Sequence, residues 1–447
     1  MSRLRKSRQK NEPWPTSDNV RNVTSWTAEQ DGGCGDRVRS RPHFSRSAGL
    51  LALLWREGEV DYSLQAWTSH SPWNGFRREV VMSRRLAELY LRGYCAANAR
   101  LARHFNGRFA AWTRPVSVSI LLTERCNARC VHCGIWKNKG REGVPSLEQW
   151  KLFVDDLAVW MGAGVVIVFT GGEALLQTFA AELLEHAVRR GLNTELLTHG
   201  YWTDHSRLKR VACANPYRIT MSLDGIGATH SLIRGRDNFW EYSNASLMAL
   251  KQWRWENHLD YVIRLKTVVM EQNLNGVGEV ARFAREHGFE VFYQPVERNY
   301  NTPWDPNWYR SSANWPRDLG RVRAAVEELL HLYDDGYPIA NSRAHLQRIS
   351  DYFADPERLL VRVEAHMAHE SKASCGALTT LQVQPNGDVL ACCWKPPVGN
   401  IMDAPIRQIW RNRPAWWRGG CCLEDRCSDR EELREEEGDK DIARQTV

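Results

Sequence analysis

Residues 121–133 read LLTERCNARCVHC and close an apolar, strand-like run from Val116 to Leu122. Within them Cys126, Cys130 and Cys133 stand in a C-x3-C-x2-C spacing. Three thiolates this close in sequence can face one centre, and soft sulfur ligands select iron–sulfur clusters, zinc or copper(I). A cubane [4Fe–4S] cluster held by only three protein thiolates keeps one iron free for a further ligand.

Downstream of the strand-like run, the chain alternates short β-type runs with helical stretches. Strands are expected at 116–122, 165–170, 194–198, 217–223, 261–269 and 289–294, and helices near 146–162, 175–190, 204–212, 239–258 and 276–287. Ser146 with Gln149 makes a capping box for the first helix. Strands alternating with helices of this length imply right-handed βαβ units and a parallel sheet. About six such units define an α/β fold, a partial (β/α)6 TIM-like barrel rather than a closed eight-fold one. In such barrels the chemistry sits on the loops after the strands, which is where the cysteines lie.

The flanks differ in character. Residues 1–46 hold ten Lys/Arg against five Asp/Glu without periodicity, and read as a disordered basic tail. Most of the net charge of +7 sits there, so nucleic-acid binding is not expected. Residues 47–112 read as a small helical lead-in, 113–297 as the barrel and 298–370 as a loop with helices. A cysteine-rich segment then spans 371–430, before a charged tail at 431–447. No run of about 20 apolar residues could cross a membrane. The basic N-terminus lacks the apolar stretch of a secretory signal. Most of the twelve cysteines fall in two clusters, which favours metal ligation in a reducing, cytoplasmic setting over a disulfide framework. Cys34, Cys95 and Cys213 lie outside both and read as bystanders.

Two further motifs follow strand ends. FTGGEALL carries Gly171, Gly172 and Glu173, and MSLDGIGATHSLIRG carries Ser222, Asp224, His230 and Arg234. LLTHG ends the third strand, and Arg264 and Lys266 on the fifth point at the same barrel mouth. In this order, with the three cysteines, the chain resembles the radical S-adenosylmethionine (radical SAM) enzymes. The resemblance implies a [4Fe–4S] cluster on Cys126, Cys130 and Cys133 that binds SAM through its free iron. His132 then stands where the family places an aromatic residue against adenine. Gly171, Gly172 and Glu173 match the motif that holds the SAM amino group, glycine permitting close backbone approach and the carboxylate pairing with an ammonium. Ser222 and Asp224 would face the ribose hydroxyls.

The second cysteine cluster opens as C-x11-G-x4-C, from Cys375 through Gly387 to Cys392, around a hairpin turned by Pro385-Asn386-Gly387-Asp388. This resembles the SPASM or "twitch" extension of many radical SAM enzymes, and VGNIMDAPIRQIW at 398–410 resembles its GN…IW helix. A full SPASM pattern would carry more cysteines than Cys421, Cys422 and Cys427. The resemblance therefore implies one auxiliary [4Fe–4S] cluster, on Cys375, Cys392, Cys422 and Cys427. Cys393 and Cys421 remain alternatives, and a zinc site is the competing reading.

The resemblance implies an enzyme. An electron donor of flavodoxin or ferredoxin type reduces the first cluster, SAM is cleaved, and a 5′-deoxyadenosyl radical takes a hydrogen atom from the substrate. The expected substrate is a polar small molecule, such as an amino sugar or another natural-product intermediate that is oxidised, dehydrated or epimerised. Residues 48–110 lack the strand signals of a leader-binding winged helix, which weighs against the alternative, a ribosomal peptide or protein side chain. A non-enzymatic iron–sulfur or zinc scaffold is the second alternative. The Trp-rich loop 298–318 is the expected substrate contact.

Overall fold

The computed structural model describes residues 114–115, 117–138, 144–161, 166–298, 305, 307–356, 380–391 and 396–413. The basic tail 1–46, the lead-in 47–112, the tail 431–447 and the second cysteine set, Cys375, Cys392, Cys393, Cys421, Cys422 and Cys427, lie outside the described residues.

Six parallel strands run in sequence order: β1 (Ser117–Leu121), β2 (Val166–Thr170), β3 (Asn193–Thr198), β4 (Arg218–Ser222), β5 (Val262–Val269) and β6 (Glu290–Pro295). Each lies within one or two residues of its expected place. The crossovers are α1 (Leu147–Met161), α2 (Ala180–Arg189), α3 (Ser206–Cys213), α4 (Ala228–Arg234) with α5 (Phe239–Glu256), and α6 (Val277–His287). The expected capping box opens α1: the Ser146 N–H donates to Gln149 Oε1 at 2.7 Å, and the Gln149 N–H to Ser146 Oγ at 3.3 Å. Helix α4 lies within the SLDG…RG segment and was not expected, because seven residues carry too little apolar periodicity to stand out.

After α7 (Trp308–Ser311), α8 (Leu319–Asp334) and α9 (Arg343–Ala354), the chain returns as β7 (Thr380–Val383), β8 (Asp388–Leu390) and β9 (Gly399–Asn400), followed by α10 (Ile406–Arg411). The hairpin turns where Asn386-Gly387 was expected to turn it. Strand β7 lies parallel to β1, so the sheet runs β6-β5-β4-β3-β2-β1-β7-β8-β9 and is not closed. These strands of the 371–430 segment continue the barrel sheet.

In-and-out alternation divides the sheet into two faces. Val118, Ile120, Ile167, Phe169, Leu196, Ile219, Met221, Ile263, Leu265 and Val291 are buried in the helix-covered core. The opposite face is polar. Glu195 stands opposite Arg218 on it, Thr220, Arg264 and Glu290 lie in register one step on, and Ser222, Lys266 and Phe292 one step nearer the strand ends. A parallel sheet covered on both faces reads as continuous apolar strands. Here the alternating pattern marks an interior that holds charge.

Candidate active site

The cysteine loop leaves β1 at the C-terminal edge of the sheet, and three later strand-end loops clamp it. From the loop after β2, the Gly172 N–H donates to Thr123 O at 2.7 Å and the Glu173 N–H to Arg125 O at 2.9 Å. A Cβ on Gly171 would lie 2.3 Å from Thr123 O, and one on Gly172 2.4 Å from Arg125 O. The close approach these glycines permit is therefore to the cysteine loop itself, a contact the sequence did not reveal. From the end of α4, Arg129 N–H donates to Arg234 O and Val131 N–H to Ile233 O. Gly235, at φ +73°, passes Arg129 O with no room for a side chain.

Cys130 is buried with Ala128 and Phe239, and the half-buried Cys126, Cys133 and Tyr201 pack against this group. Burial pushes the Cys126 thiol up to about 12 and raises Cys130 and Cys133 as well. Arg234 Nη1 lies 3.5 Å from Cys130 Sγ and pulls the other way. Buried thiols at rest are neutral, so ligation here would release protons. A mononuclear zinc site needs its ligands to converge on one ion, whereas cubane ligation gives each thiolate its own iron. Among the described residues no three His, Cys, Asp or Glu side chains converge on one ion.

Glu173 is fully buried. Its carboxylate accepts from Leu175 N–H (3.2 Å), Thr198 Oγ1 (3.0 Å) and His199 N–H (2.9 Å), and burial still raises it to about 7. His199, from LLTHG, is held near 3 by burial and by Arg234, so the ring is neutral. Its Nδ1 accepts from Tyr201 N–H, which leaves the proton on Nε2 to donate to Asn127 Oδ1 at 2.7 Å, with Glu173 Oε2 at 3.2 Å. Asn127 had no signal in sequence beyond its place between two cysteines. His199 thus ties the GGE loop to the cysteine loop.

Asp224 is buried at the end of β4. Its Oδ1 accepts from Val268 N–H at 2.9 Å, and Oδ2 lies 2.7 Å from Arg234 Nη2 but off the line of any N–H. Burial opposes its charge, yet Arg234 holds its carboxyl below the usual range. His230 Nδ1 accepts from Asp224 N–H, while His230 Nε2 and His132 Nδ1 are buried without a hydrogen-bond partner among the described residues. Burial lowers His132 to about 4 and His230 to about 3. Ser222 and Lys266 are half-buried neighbours on the inner face. Burial lowers the Lys266 ammonium, which forms no ion pair among the described residues. Three thiols, two orphaned imidazole nitrogens and an off-axis carboxylate oxygen make a donor set that fits an iron–sulfur cluster and a polar cofactor.

The Trp-rich loop is described from residue 307 onward, and there its tryptophans pack locally. Trp315 is buried against Trp308, Tyr309, Tyr352 and Phe353. Asn314 Nδ2 donates to Val131 O at 3.1 Å, so this loop braces the cysteine loop. Cys213, outside both cysteine clusters, is disulfide-bonded.

The Radical SAM superfamily model matches residues 120–263, and the iron-sulfur cluster-binding domain model, SPASM, matches 375–430. Residues 120–263 thus match the radical SAM superfamily and residues 375–430 the SPASM domain, and the two domains imply a [4Fe–4S] cluster, SAM and an auxiliary iron–sulfur cluster. Among individual proteins, the chain is similar to the AdoMet-dependent heme synthase of Methanosarcina barkeri (strain Fusaro / DSM 804), at 26% identity over 65% of this chain and 80% of the relative. It is also similar to the antilisterial bacteriocin subtilosin biosynthesis protein AlbA of Bacillus subtilis (strain 168), at 25% identity over 70% of this chain and 65% of the relative. A crystal structure of Streptococcus suis SuiB bound to S-adenosylmethionine shares the fold, with a TM-score of 0.53 at 14% identity, covering 77% of this chain and 74% of that one.

Proposed function

We propose that this chain is an enzyme that cleaves SAM reductively and abstracts a hydrogen atom from a polar small molecule held against the inner face of the sheet. The clamped cysteine loop carries this reading, because the three loops that fix Cys130 also carry Glu173, His199, Asp224 and Arg234. Cys126, Cys130 and Cys133 would hold the cluster, with His132, Gly171, Gly172, Glu173, Ser222 and Asp224 around SAM. When bound, cluster and SAM supply the 5′-deoxyadenosyl radical that takes the hydrogen atom. The chain's own part is to hold Cys130 through Arg234, to keep His199 neutral between Asn127 and Glu173, and to present Ser222 and Lys266 to a polar substrate. Charged and hydroxyl side chains on the inner face, and a heme synthase among the relatives, support a small molecule. Modification of a peptide is the second reading, supported by the bacteriocin relative. A precursor-peptide gene beside this one would favour it.

Anaerobically reconstituted protein with dithionite and SAM should release 5′-deoxyadenosine, and Cys130→Ala should abolish it. Absence of 5′-deoxyadenosine from protein with its iron in place would overturn the proposal.

A further inference from the structure

The outer face of the cysteine loop differs from the clamped face. Val131 (41% exposed) donates its N–H to Ile233 O, next in sequence to the exposed Leu232 (65%). Around this apolar centre stand cations. Arg129 is exposed, with its guanidinium 4.9 Å from the Trp136 ring centroid, and exposed Lys137 sits 5.4 Å from the same ring. Half-buried Arg236 donates to Asn127 O at 2.8 Å and lies over Tyr201. None of these three forms an ion pair among the described residues; Asp237 is the adjacent exposed carboxylate. Cys130 is buried one residue from the exposed Val131.

We propose that this patch is the docking surface for a small acidic one-electron donor protein of flavodoxin type. The proposal rests on the radical SAM reading, under which the cluster at Cys126, Cys130 and Cys133 takes one electron from outside the chain. Flavin hydroquinone would go to semiquinone, and the cluster would gain that electron, with no bond made or broken in this chain. Charge complementarity selects the partner: unpaired cations around a small apolar centre suit an acidic, transient partner, and electron-transfer interfaces are small.

Lys137→Glu and Leu232→Glu test it, since neither side chain holds the cluster loop. Holoenzyme of each variant would be titrated with oxidised flavodoxin at low and high salt. Each should bind about tenfold more weakly than the parent, whose own affinity should fall steeply with salt. Activity should split by reductant, with flavodoxin-driven 5′-deoxyadenosine formation slowed about tenfold and dithionite-driven formation unchanged. Unchanged flavodoxin binding would overturn the proposal. So would equal loss with both reductants, or a change of oligomeric mass in light scattering, which would assign the patch to a second copy. Loss of 5′-deoxyadenosine from the parent with dithionite would sink the radical SAM reading instead, and leave the binding result standing by itself.

Discussion

Arg234 answers two demands at once, holding Asp224 at 2.7 Å and Cys130 Sγ at 3.5 Å from a fully buried position. Removing one partner of a buried pair leaves the other charge uncompensated, at a cost of about 3–5 kcal/mol. Arg234→Met should therefore lower urea-unfolding stability by about that amount, and adding Asp224→Asn should recover part of it. Single-variant losses below about 1 kcal/mol would show that the pair is not buried as described. Acid sensitivity follows from residues too. Buried His199 and His230, near 3, and His345, near 4, all lie below the ordinary 6.5, so between these values the unfolded chain binds more protons. Each costs stability as pH falls, by up to about 1.4 kcal/mol per pH unit. Glu173, raised to about 7, runs the other way: folded protein keeps a proton that the unfolded chain has released, and stability falls as pH rises from about 4.5 to 7. Three histidines outweigh one carboxyl, so chemical denaturation of the apoprotein should show stability falling from pH 6.5 to about 4. A flat profile would contradict the burial.

At the scale of elements, Asn400 explains the GN motif. Its Nδ2 donates to Asn386 O and Asp388 Oδ1, both at 3.0 Å, and its Oδ1 accepts from Met402 N–H at 2.9 Å. One side chain thus locks the β7–β8 turn to β9. Asn400→Ala should cost about 1–3 kcal/mol through the groups left unpaired. Hydrogen exchange should quicken at β7 and β8 while β3 to β5 stay protected; uniform quickening would mean the hairpin is not a separate unit. The contrast between hairpin and sheet shows what the sequence could carry. The turn was legible because Asn386-Gly387 is local chemistry, and the six strands because their periodicity is local. The pairing of β7 with β1 was not, since nothing near Thr380 names its partner. Among candidate site residues, thiol spacing singled out Cys126, Cys130 and Cys133. The clamping roles of Asn127, Gly171 and Arg234 depend on loops brought together only by the fold.

For the molecule as a whole, two iron–sulfur centres make a stoichiometric expectation. Anaerobic reconstitution should give about eight irons and eight sulfides per chain for two cubanes. Cys375→Ala should reduce this to about four while dithionite still drives 5′-deoxyadenosine release. Four irons in the parent would remove the auxiliary cubane. The polar inner face goes with an unclosed sheet at this scale: among the described residues no pairing joins β6 to β9, and the outer edge of β6 is bonded instead to residues 338–341.

The seating of β7 beside β1 has a consequence in time. A chain leaving the ribosome makes β1 and its cysteine loop early, but the second neighbour of β1 exists only once residues 380–383 have been translated. Until then the strand that carries the cysteines is an unpaired edge, open to other nascent chains. Fragments ending before residue 380 should aggregate on expression while the full chain does not. Metal loading before synthesis ends would occur on a loop whose supporting strand is only half bound.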